Sequence, residues 1–214
     1  MGLSADVAKR INPFMKSKGF RRAGGTFYYI SEDIVHCVYL YQPTTSVYVH
    51  TYAMPLYVPC ECRYLSYGNR VHYNRDILLP TLEKGSDQAT IDVWIQDLCS
   101  AVEEKILPYF QKIGTPDKLV AYAEKKRGST SYIFCPTEWV LKLKMYTQLY
   151  TGDLEGITHT ISKYRRELCE SGFSEHVIQM RLDDIAIVES LIHDKEAREA
   201  FIAETKANTR KFFK

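Results

Sequence analysis

The chain has 214 residues, 45% of them hydrophobic and 25% charged, with 11 glycines and 8 prolines. Such a composition excludes a disordered or fibrous chain, and the length suffices to bury a core without metal or disulfide staples. The net charge is +2, shared as 12 Lys/Arg against 11 Asp/Glu in residues 1–113 and 16 against 15 in residues 114–214, which argues against the concentrated basic face of a duplex binder.

Residues 3–18 carry Leu3, Val7, Ile11, Phe14 and Met15 at helical spacing, so they predict an amphipathic helix. Ser4 or the residue before it is the expected cap. Pro13 is expected to kink the helix, and Gly19 to end it in the left-handed conformation. Gly24-Gly25 reads as a turn into the aromatic strand Thr26-Phe27-Tyr28-Tyr29-Ile30. The glycine pair lacks the spacing of a dinucleotide fingerprint, and a strand follows it instead of a helix. Arg21 and Arg22 precede this turn and should alternate across a short strand, so at most one of them joins any given sheet face.

Ile34 to Gln42 and Val47 to Met54 are strand-like runs joined by Pro43-Thr44-Thr45-Ser46, a predicted hairpin. Alternation puts Ile34, His36, Val38 and Leu40 on one face and Val35, Cys37, Tyr39 and Tyr41 on the other. In the next strand Val47, Val49, Thr51 and Ala53 oppose Tyr48, His50, Tyr52 and Met54. Tyr64 to Tyr67 and Val71 to Tyr73 suggest a second hairpin around Gly68-Asn69. Residues 89–113 predict a long helix with Ile91, Trp94, Ile95, Leu98, Val102, Ile106, Tyr109 and Ile113 in one stripe and Pro108 bending its end. Gly114-Thr115-Pro116 is a break, and Asp117 to Lys126 a short helix.

Beyond residue 137 the pattern is helical throughout. Thr137 is the expected cap of a helix to Tyr150, and Thr151-Gly152-Asp153 a tight reversal. A second helix runs to about Ser171 and stops at Gly172. Ser174 caps a third, with Ile178, Leu182, Ile185 and Val188 on one face, and Asp194 caps a last helix carrying Phe201. The predicted fold is α+β: an N-terminal helix, an antiparallel sheet packed on a long helix, then an all-α bundle. The expected domains are 1–113 and 114–214, closely packed, with a hinge near residues 127–137.

Ten of the sixteen tyrosines lie between residues 28 and 73. The face carrying Tyr39, Tyr41, Tyr48, His50 and Tyr52 is either a recognition surface or an interior covered by the C-terminal helices. With Arg21 and Arg22 these five form the candidate binding set. Two local basic excesses stand out: residues 1–30, and Lys125-Lys126-Arg127. Both suit solvated faces.

Catalytic signatures are missing. There is no nucleophile elbow, phosphate loop, zinc-protease helix or kinase set. Cys60-Glu61-Cys62 has no second cysteine pair to complete a zinc site, and the six cysteines are expected to be reduced thiols. No catalytic residue, metal or cofactor is expected. No apolar run reaches the ~18 residues of a membrane span, and Met1 to Asp6 lacks the features of a secretion signal. A cytoplasmic protein without membrane contact is therefore expected. Gly152-Asp153-Leu154-Glu155 is similar to the reversal inside a tetratricopeptide pair, but no 34-residue repeat follows.

Lys18-Gly19-Phe20-Arg21-Arg22, Gly25-Thr26-Phe27-Tyr28, Val35 to Gln42 and Val47 to Pro59 together resemble a bacterial family known only as domain of unknown function 4304. The resemblance covers the N-terminal half. It implies an α+β fold with an antiparallel sheet and no established activity, so no catalytic residue carries over.

Three readings follow. The first is a non-enzymatic interaction protein, an immunity- or defence-type partner of another protein or of itself. The second is a nucleic-acid-binding or nucleic-acid-processing protein using Arg21, Arg22 and the tyrosine face. The third is a small-molecule enzyme with an unrecognised cysteine or histidine site.

Overall fold

A computed structural model describes residues 2–60, 67–70, 79–126 and 137–213. It has the expected α+β architecture, an N-terminal helix and an antiparallel sheet followed by helices. The described residues divide into two compact units: 2–54, 67–70 and 79–119 in one, and 55–60, 120–126 and 137–213 in the other.

In the first unit α1 (Leu3–Ser17) buries Val7, Ala8, Ile11 and Met15 and runs through Pro13 without breaking. Its Ser4 side chain is not the cap. Instead the Ser4 N–H donates to Gln42 Oε1 at 3.0 Å, so an amide from the far end of a strand satisfies one of the free donors of the first turn. Gly19 ends the helix at φ 85°.

The strands are β1 (Arg21–Ala23), β2 (Thr26–Ser31), β3 (Ile34–Tyr41), β4 (Ser46–Pro55), β5 (Tyr67–Arg70) and β6 (Leu82–Glu83). The order is β1-β2-β3-β4-β5, and β6 pairs with the start of β4. Gly24, at φ 62°, turns β1 into β2. The Gly68-Asn69 turn is a correction: both residues lie within β5, Gly68 opposite Tyr52 and Asn69 opposite Thr51. Pairing with β4 overrides the local turn preference of the dipeptide. The flanking segments of that expected hairpin, the hinge near 127–137, Lys125-Lys126-Arg127 at its arginine, and Glu61 and Cys62 of the cysteine pair lie outside the described residues.

The expected long helix is three pieces: α2 (Gln88–Ala101), a π-helical turn (Val102–Ile106) and α3 (Leu107–Lys112). Pro108 has no N–H to donate and crowds the preceding turn, and the wider turn directly before it accommodates that conflict. Ile91, Trp94, Leu98, Val102, Ile106, Phe110 and Ile113 are buried. Trp94 Nε1 donates to Pro80 O at 2.7 Å. Phe110 packs on Tyr29 and His36, fixing α3 against one face of the sheet.

α4 (Pro116–Lys126) follows. The second unit holds most of the helical part: α5 (Thr137–Thr151), α6 (Leu154–Glu170), α7 (Glu175–Leu191) and α8 (Lys195–Arg210). Gly152 (φ 79°) makes the α5–α6 reversal, and Asp153 caps α6 by accepting from Gly156 N at 3.0 Å. Asp194 caps α8 through Ala197 N at 2.9 Å. Ser174 sits at the cap of α7 but makes no side-chain bond there. Tyr57 stacks on Tyr150, centroids 4.4 Å apart, and its hydroxyl pairs with Thr147 at 3.1 Å. Among the described residues no helix is long and apolar enough to cross a membrane.

Candidate functional site

The β1–β2 register places Arg21 opposite Tyr28 and Arg22 opposite Phe27. The two arginines therefore take opposite faces, as alternation requires. Arg21 shares a face with Tyr28 and its cross-strand neighbour Cys37. Arg22 joins the helix-packed face.

Tyr39, Tyr41 and His50 do cluster. Their rings lie 5.8 Å (Tyr39–Tyr41), 6.1 Å (Tyr39–His50) and 5.2 Å (Tyr41–His50) apart. The cluster is largely interior. His50 is 3% exposed and Tyr52 2%, while Tyr39, Tyr41 and Tyr48 are half-buried. Of the seven candidate residues only Arg21 and Arg22 are exposed.

Those two arginines line an open groove of about 620 Å³ with Asn12, Lys16, Phe20 and Gly24. One wall is the last turns of α1, the other is β1. Gly19, by ending α1, and the Phe20 N–H, by donating to Met15 O at 3.0 Å, fold the chain back so the two walls face each other. Phe20 itself is buried.

Arg22 is held in place. Its Nε donates to Gly24 O at 2.7 Å, and its guanidinium carbon lies 5.8 Å from the centre of the Phe27 ring. Lys16, Arg21 and Arg22 are exposed, and none pairs with a carboxylate among the described residues. Among the described residues no acidic side chain lines the groove. By contrast, two other cations of the N-terminal basic excess are neutralised, Arg10 by Asp92 and Lys18 by Glu103. Among the described residues four cations of this excess have no carboxylate partner, and three of them stand at the α1–β1 groove, the fourth being Lys9 on α1. Sequence counting alone cannot distinguish these two sets of cations.

The described residues hold two other polar constellations. Ser31 Oγ and His36 Nε2 lie 2.8 Å apart, the spacing of a nucleophile and its base. His36 is fully buried, stacked on Tyr29 and tilted against Phe110. Its Nδ1 has no orienting partner among the described residues. Burial lowers its pKa from 6.5 to about 4. The pair therefore reads as packing, without substrate access or the third group of a triad.

In the second unit Asp184 gathers Lys142 Nζ (2.8 and 3.0 Å), Tyr146 OH (3.3 Å) and Arg181 (3.7 Å). Arg181 also lies over the Trp139 ring. Burial, and next the charge of Asp184, hold the Tyr146 hydroxyl far above its ordinary range. A phenol so hard to ionise is no base or nucleophile at neutral pH, and the cluster serves to tie α5 to α7. Among the described residues no group of three metal-ligating side chains occurs.

No family model, curated protein or solved structure matches the chain.

Proposed function

We propose that the protein is a non-enzymatic binding module that recognises an acidic segment of another protein at the α1–β1 groove. The supporting observation is the groove's lining: Lys16, Arg21 and Arg22 all exposed, none ion-paired among the described residues, and no carboxylate among them. Exposed like charges left together repel one another, and an anionic partner relieves that repulsion.

A single-stranded nucleic acid also carries negative charge, but its binding proteins add exposed aromatic platforms for the bases. Here Phe20 is buried at the groove and the tyrosine cluster is largely interior. An acidic protein segment needs no such platform.

The test compares fluorescently labelled octa-aspartate with a labelled single-stranded oligonucleotide of equal charge, by anisotropy at low and moderate salt. The expected result is saturable binding of the acidic peptide that is abolished by Arg21→Glu/Arg22→Glu. Absence of peptide binding at low salt, or preference for the oligonucleotide, overturns the proposal.

A further inference from the structure

We infer that the acidic partner docks as an extended strand on the outer edge of β1, with two consecutive acidic residues facing Arg21 and Arg22. This rests on the binding reading above and specifies the partner's backbone as well as its charge. β1 is the terminal strand of the sheet and pairs only with β2 among the described residues. The groove runs between this edge and α1, so a strand laid on the edge occupies the groove.

The hydrogen-bond phase of the ladder identifies the open backbone. Leu40 N donates to Gly25 O at 3.1 Å, so the groups of residue 25 point toward β3. Alternation then turns those of Thr26 and Tyr28 toward β1, against their partners Ala23 and Arg21. Arg22 is left with its N–H and C=O pointing outward. An incoming antiparallel strand exchanges both bonds with that one residue.

Side-chain chemistry sets the motif. Arg21 and Arg22 project to opposite faces, so an extended strand meets both only with acids at neighbouring positions. Acids spaced two apart project to one face and meet only one arginine. Gly19 (φ 85°) and Gly24 (φ 62°) bracket the strand, so the pairing spans about three residues and specificity comes from the two arginines.

The test uses the full chain and the capped peptide Thr-Val-Asp-Glu-Val-Thr. It is compared with the same peptide N-methylated at Asp, the same peptide N-methylated at Glu, and octa-aspartate. Only the acid opposite Arg22 turns its N–H toward β1. The expected result is therefore asymmetric: methylation at one acid weakens binding at least tenfold, and methylation at the other changes it less than threefold. The Arg22 amide should also exchange with solvent at least tenfold more slowly in the complex. If both methylated peptides bind like the parent, or if Arg22 exchange is unchanged in the complex, strand addition is overturned while the acidic-segment reading stands. If the parent peptide fails while octa-aspartate binds, the consecutive-acid strand is likewise overturned. If neither binds, both proposals fall.

Discussion

Arg22 and Phe27 meet across the β1–β2 ladder, the guanidinium resting over the ring while its Nε bonds to Gly24 O. The Phe27 ring is buried but the guanidinium stays in solvent, so the contact contributes only about 0.5–1 kcal/mol to folding. Its larger effect is to fix the direction of a charge beside the groove. Arg22→Lys should therefore leave thermal stability nearly unchanged yet weaken octa-aspartate binding several-fold, because the ammonium lacks the planar fork. Equal affinity for the lysine variant, measured by anisotropy, would show that charge alone matters.

Acid should destabilise the fold through His36. Its pKa is lowered to about 4 by burial, against an ordinary 6.5, so the unfolded chain binds the proton more readily. Stability from this group is complete above about pH 6.5 and declines as pH falls toward 4, by on the order of 3 kcal/mol. Replacing His36 with Phe should flatten that decline in urea titrations between pH 7 and 4. An unaltered slope in the variant would assign acid sensitivity elsewhere.

Gly156 inverts a general rule. A glycine in the first turn of a helix is usually improved by alanine, but a Cβ here would collide with Asp153 Oδ2 and Gln148 Nε2. Those atoms brace the cap, Gln148 Nε2 donating to Asp153 Oδ2 at 2.9 Å while Oδ1 accepts from Gly156 N. Gly156→Ala is expected to cost about 1 kcal/mol by displacing the cap. In an Asp153→Ala background the same change should be neutral or stabilising, which calorimetry of the parent and the three variants can read directly.

Asp184 should tolerate loss poorly. Lys142 and Arg181 share the single carboxylate of Asp184, and the three side chains are only 15–19% exposed. Asp184→Ala strands two shielded cations and is expected to cost about 2–3 kcal/mol. The pair Lys142→Met with Asp184→Leu should recover part of that loss in chemical denaturation, since an apolar pair leaves one cation fewer uncompensated.

Periodicity exposed most of the fold. The stripe in α1, the caps Asp153 and Asp194, and the stops at Gly19 and Gly172 are local signals with local causes. Failures came where distant residues decide the outcome. Gly68-Asn69 has turn chemistry, yet β4 recruits it as a strand. Ser4 is a reasonable cap, yet Gln42 supplies the acceptor from the end of β3. Pro108 announced a distortion, but its form as a π-helical turn depends on how the helix must continue. The candidate site was half legible. Arg21 and Arg22 stood out, while Lys16 joins them only because Gly19 folds the chain back. Tyr39, Tyr41 and His50 do meet on one face, but exposure depends on tertiary cover that alternation does not report.

The brevity of β1 has a consequence for solubility. A free sheet edge is a template on which identical chains can grow into fibrils. This edge offers a single residue's pair of backbone groups between two glycine bends, and it carries two like charges that repel an identical edge. It can seat one oppositely charged guest, but it cannot nucleate a polymer of itself.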